Sequence, residues 1–229
     1  MTTDFFRKNR YIQPLVGAVA VLFTFATLLY AYALTSVKTV DVYKYFHFLV
    51  CTSTHIEAST HQVSFDGGAG YALRYGERAY VAYNVYMRDT DGERALEAVS
   101  LQGEEVEVLS VGVEKLYLKT AKEKKNAQTI FEGMKLLYAY IRLLSEEIAR
   151  LDNGATQESS KRVLRELSRQ LYYAAREYKE DFSGLSSVCG AFANGLEEES
   201  TDVVFSRDLR YLLCETCIAY VRLGEKFSL

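Results

Sequence analysis

His55, Glu57 and His61 stand close together, and four cysteines, Cys51, Cys189, Cys214 and Cys217, include one C-x-x-C pair. These are the residue types from which a zinc site or a thiol redox centre is built. The spacings of the first set do not bring all three side chains to one helical face, and no second cluster supplies the missing ligands, so no metal is expected. The pair Cys214 and Cys217 lies among Leu212, Leu213 and Ile218 in a helical pattern, whereas a redox or zinc pair would stand on a turn or a helix start. It reads as core, and Cys189 is the residue that could bridge to one of the two in an oxidising compartment. The run Gly67-Gly68-Ala69-Gly70 is followed by a strand pattern, so it lacks the helix start that cradles phosphate and reads as a turn. No exposed nucleophile with a neighbouring base can be assembled. The expectation is therefore a protein without cofactor and without enzymatic activity.

The elements that carry these residues begin with a membrane segment. From Pro14 to Val37 the chain has no charged residue, and a helix of that length, roughly 36 Å, crosses a hydrocarbon core of about 30 Å with some tilt. Residues 14–37 are read as a transmembrane helix in contact with the lipid bilayer, with Tyr30 and Tyr32 in an interfacial belt. The competing reading, a cleaved signal peptide, has a shorter apolar core. Arg7, Lys8 and Arg10 precede the run and only Lys38 and Lys44 follow it closely, which puts residues 1–13 in the cytosol and the remainder outside. Overall charge is near balance, 27 basic against 30 acidic residues, and gives no reason to expect nucleic acid as a partner.

After the anchor the pattern becomes α+β. Tyr43–Thr52, Ala69–Gly76, Arg78–Met87 and a run from Val106 read as strands. A short helix precedes Gly67, and a second begins at Asp89 or Thr90 and ends at Gly103. The order β-α-β-β-α-β over residues 43–118 is a split βαβ arrangement, a four-stranded sheet with both helices on one face and the other face open. About seven residues, at most roughly 25 Å of chain, separate it from the membrane. The stretch GGAGYALRYGERAYVAYNVYMRDTDGERALEAV, Gly67 to Val99, resembles the SPOR (sporulation-related repeat) domain, a family of bacterial envelope modules that bind peptidoglycan glycan strands. Val85-Tyr86 stands where that family carries Gly-Pro.

The resemblance implies binding through the open sheet face. Period-two alternation places Tyr80, Ala82, Asn84 and Tyr86 on one side of the third strand and the more apolar Val81, Tyr83, Val85 and Met87 on the other. The first strand separates Tyr45 and His47 from Phe46, Phe48 and Val50 in the same way. Tyr45, His47, Tyr80, Asn84 and Tyr86 form the candidate ligand face, since flat rings with polar tips stack on sugars and still hydrogen-bond. The alternative is that these tyrosines pack under the C-terminal helices.

Residues 120–229 read as an antiparallel helical bundle. Ala127, Ile130, Met134, Leu137, Ile141, Leu144, Ile148 and Leu151 make a heptad seam on a first helix from Ala121 to Leu151. Leu164, Leu167, Leu171, Ala174 and Tyr178 repeat that spacing on a second, and segments from Phe182 to Leu196 and from Asp202 to Leu223 complete four helices. The seam is bundle core or, alternatively, the contact of a homo-oligomer. Glu197-Glu198-Glu199 reads as a solvated loop or helix start. Together these readings predict a single-pass cell-envelope protein of division or sporulation that binds peptidoglycan or an envelope protein. The alternative is a docking scaffold whose sheet and bundle form one protein interface.

Overall fold

The computed structural model describes residues 22–27, 37–53, 55–100 and 105–227. Its first half contains β1 (Lys38–Thr52), α1 (Ile56–Phe65), β2 (Tyr71–Tyr75), β3 (Arg78–Tyr86), α2 (Asp89–Ser100) and β4 (Glu107–Leu118). The sheet order is β2-β3-β1-β4 with every neighbouring pair antiparallel, so the α+β class and the β-α-β-β-α-β order are both observed. A two-residue turn at Gly76-Glu77 closes the β2–β3 hairpin on the pair Tyr75 and Arg78. Gly76 has φ +60°, the left-handed backbone that a type II′ turn needs at its first central position.

The first strand begins at Lys38 rather than Tyr43. Its extra residues pair with the far end of β4, from Lys38 opposite Leu118 to Asp41 opposite Lys115, so the expected tether to residues 14–37 does not exist. Alternation was hidden here by a bulge. Val42 and Tyr43 interrupt the register before Lys44 pairs with Val113, and Tyr43 adopts φ +45°. Residues 1–13 and most of 14–37 lie outside the described residues. Residues 22–27 are helical, with Leu22, Phe23 and Phe25 more than half exposed. Among the described residues no helix is long and apolar enough to cross a membrane.

The second half comprises α3 (Ala121–Lys125), α4 (Ala127–Asp152), α5 (Gln157–Glu177), α6 (Ser183–Glu199) and α7 (Ser206–Glu225). The single helix expected from Ala121 to Leu151 is divided at Asn126. A capping box fixes the start of α3: Thr120 Oγ1 accepts from Glu123 N at 3.1 Å, and Glu123 Oε2 accepts from Thr120 N at 2.9 Å. Those bonds hold the Glu123 carboxyl below its usual range. The heptad residues from Ala127 to Ile148 are at most 4 % exposed, so the seam is buried within one chain and leaves no stripe for a second copy. Glu147 is buried there too, accepting from Ser160 Oγ at 2.7 Å and from Arg150 Nη1 at 2.6 Å. This ties α4 to α5 across the turn at Gly154. The three glutamates from Glu197 close α6 rather than forming a loop, and burial, Asp208 and Glu198 raise the Glu199 carboxyl.

The bundle does not stand apart from the sheet. Phe46 on β1 meets Tyr138 of α4 and Tyr220 of α7 at ring separations of 5.8 and 5.4 Å. Helix α7 runs across the sheet from Tyr211, 5.2 Å from Tyr71 on β2, to Gly224, which abuts Val113 on β4. Just beyond it the Phe227 carbonyl accepts from Tyr117 N at 2.8 Å. One core runs through both halves, so the divisions 43–118 and 120–229 are segments of one body rather than separate domains. The sheet face expected to be open is the one that α4 and α7 cover.

Candidate functional site

The five residues expected on one ligand face are divided by a second bulge. Val50 pairs with Ala82, and the next residue along β1, Leu49, pairs with Asn84, so Tyr83 is an extra residue in β3. Directly opposed residues of an antiparallel pair point to the same side. Tyr80 and Ala82 therefore share the bundle side with Phe46, Phe48 and Val50, whereas Asn84 and Tyr86 share the other side with His47. Tyr80 is 5 % exposed and belongs to the core. Tyr45, His47, Asn84 and Tyr86 share one side of the sheet, and α2 lies over His47 and Tyr86: a Cβ on Gly92 would stand 3.3 Å from His47 Cβ and 3.8 Å from Tyr86 Cδ2.

That second face holds a polar cluster. The Tyr45 hydroxyl donates to the Glu114 carboxylate, a bond that raises the Tyr45 hydroxyl above its ordinary value. His47 Nδ1 lies 2.9 Å from Ser110 Oγ and 3.4 Å from Asp89 Oδ1. Serine, histidine and aspartate are the components of a nucleophilic relay, but a relay needs the nucleophile on one ring nitrogen and the acid on the other. Here both converge on Nδ1, so the cluster is not arranged as that relay; it ties β1, β4 and the first residue of α2 together. Asn84 Oδ1, on the same side of the sheet, is buried and has no hydrogen-bond partner among the described residues. Among the described residues no disulfide joins any of the four cysteines, and Cys51 Sγ donates to the Val81 carbonyl at 3.7 Å. Cys214 and Cys217 are fully buried, as their apolar neighbours predict. The alternative of a bridge from Cys189 is not realised, and burial pushes the Cys189 thiol up to about 12. Among the described residues no three His, Cys, Asp or Glu side chains are gathered as a metal would require.

The feature with the form of a binding site is elsewhere. Between β2, the start of α1 and the C-terminal half of α7 lies a cleft of about 950 Å³. Leu73 and Val221, both buried, give it an apolar lining, with Tyr75 at its mouth 51 % exposed. Arg74 and Arg222 contribute positive charge, Glu57 and Glu225 negative charge. Burial raises the Tyr71 hydroxyl there, and the Arg222 guanidinium opposes that shift. Among the described residues β2 is an edge strand, paired with β3 alone. The pair that closes a two-residue hairpin is hydrogen-bonded across the strands, so by alternation Ala72 and Arg74 turn their backbone N–H and C=O groups outward along the free edge. An apolar cleft beside unpaired strand backbone can receive an extended chain by strand addition.

No protein-family model matches this chain, and no curated protein or solved structure is significantly similar to it. The cleft was only half legible in the sequence. Tyr71, Leu73 and Tyr75 alternate within the strand read from Ala69 to Gly76. Ile218, Val221 and Arg222 lie in a distant helix, and nothing local brings them to β2.

Proposed function

We propose that this chain is a membrane-anchored, non-enzymatic docking protein of the cell envelope whose cleft beside β2 receives an extended segment of a partner protein. The observation that carries this reading is the free backbone edge of β2 beside an apolar, tyrosine-bordered cleft. The uncharged run from Pro14 to Val37 supports the anchor. The element order supports the SPOR-like likeness, but glycan binding through an open sheet face needs that face uncovered, and α4 and α7 lie on it. Proteins with exposed edge strands ordinarily blunt them, with charge or by cover. β2 carries a single charge on that edge, Arg74, with the exposed ring of Tyr75 next to it.

A photo-crosslinking residue placed at Tyr75 in the full chain, expressed in its own cells, tests the reading. A discrete protein adduct is expected at Tyr75 and none at Lys161 on α5. Arg74→Pro, which removes an outward N–H while an edge strand tolerates proline, should abolish the adduct without unfolding the protein. Adducts of equal yield at both positions would sink the docking reading. Co-sedimentation with purified glycan strands that is lost in Tyr86→Ala would restore the peptidoglycan reading in its place.

A further inference from the structure

The end of the sheet where β1 begins carries lysines from four parts of the chain. Lys38 opens β1 opposite Leu118, and Lys119 follows β4 directly. Lys122 on α3 donates to the Glu180 carbonyl at 2.9 Å. Lys226 follows α7, next to the Phe227 carbonyl that is bonded to Tyr117. Lys122 and Lys226 border one hollow of about 320 Å³ at this end. Of the acids nearby, Glu123 accepts from the Lys119 and Thr120 amides, and Asp181 accepts from Asn126. Lys38, Lys122 and Lys226 make no ion pair among the described residues, and all three are exposed.

The sequence places something specific against this end. The uncharged run stops at Val37, and Lys38 is already in β1. A lipid-spanning segment joined without a tether delivers this edge of the domain to the headgroup layer, within the distance over which an anionic surface attracts basic side chains. We propose that Lys38, Lys119, Lys122 and Lys226 form a collar that binds anionic phospholipid headgroups and holds the domain in one orientation on the membrane. The proposal rests on the anchored reading given above.

The full chain is incorporated into nanodiscs of phosphatidylcholine alone, or of phosphatidylcholine mixed equally with phosphatidylglycerol. The rate of lysine acylation is then read residue by residue by mass spectrometry. In the anionic discs Lys38, Lys122 and Lys226 should react about fivefold more slowly, the factor for a basic side chain held at an anionic surface. Lys161, beyond the far end of α4, should not change. High salt should restore the rates, and Lys122→Glu with Lys226→Glu should remove the lipid dependence at Lys38. Equal rates in both lipids, with the chain incorporated, overturn the collar and leave the anchor standing. A chain that enters neither disc overturns both.

Discussion

The two faces of the sheet use the same kinds of residue for opposite ends. Toward the bundle, Phe46, Phe48, Val50 and Val85 are at most 1 % exposed, and Phe46 meets the rings of Tyr138 and Tyr220. Toward α2, Tyr45, His47, Asn84 and Tyr86 keep some exposure, and two of them make polar contacts, Tyr45 with Glu114 and His47 with Ser110 and Asp89. Aromatic content alone therefore does not identify a sugar platform. The same strand carries core rings on one side and hydrogen-bonded tyrosines on the other, and what lies above each side decides their role.

The contrast is broken or sharpened first by truncation. Phe46→Ala should cost about 3–5 kcal/mol, as loss of a fully buried ring does. Tyr86→Ala should cost less, about 1.5 kcal/mol, because the ring is only partly buried and its site can relax. Urea midpoints measure both, and equal costs would show that the faces are not distinct.

A pH titration separates them next. Burial raises the Cys189 thiol to about 12 and raises Tyr138 and Tyr140, so the folded bundle favours the neutral forms. The unfolded chain ionises first as pH rises. The associated stability is complete below about pH 9, the thiol's ordinary value, and is lost as pH climbs toward about 12. Melting temperatures should fall through that window, and Cys189→Ala should flatten its lower part. A flat profile from 9 to 12 contradicts the sealed core.

The same comparison explains which parts of the fold were legible in the sequence. The β-α-β-β-α-β order and the four long helices could be read because each rests on a local period, 2 or 3.6 residues, and on turn residues such as Gly76 and Gly154. The ligand face could not, because one extra residue at Tyr83 reverses the alternation and Tyr80 departs from Asn84 and Tyr86. Nothing in the residues of β3 announces that bulge; it is defined by pairing with β1. The start of β1 could not be seen, and cover of the sheet by the C-terminal helices stood only as the alternative, which Tyr80 meets, since both depend on partners distant in the chain. The cleft shares that fate, with one wall from β2 and the other from α7.

The smallest expected effect concerns the other bulge. Tyr43 holds a left-handed backbone conformation that costs a residue with a side chain roughly 1–2 kcal/mol. Tyr43→Gly relieves it and should leave stability unchanged or raise it by up to about 1 kcal/mol, after glycine's own entropic cost. A loss of more than about 1 kcal/mol in urea would mean that the tyrosine ring contributes packing here that outweighs its backbone conformation.

The path of α7 from β2 to β4 has a consequence during synthesis. The sheet is finished when β4 leaves the ribosome, yet its oiliest surface waits for a helix made much later. Until α7 arrives, Phe46, Phe48 and Val50 are only partly sheltered, and the nascent chain presents a sticky half-product. Closure of this core is thus a late step, and a chain cut between β4 and α7 lacks the cover for that surface, which favours aggregation.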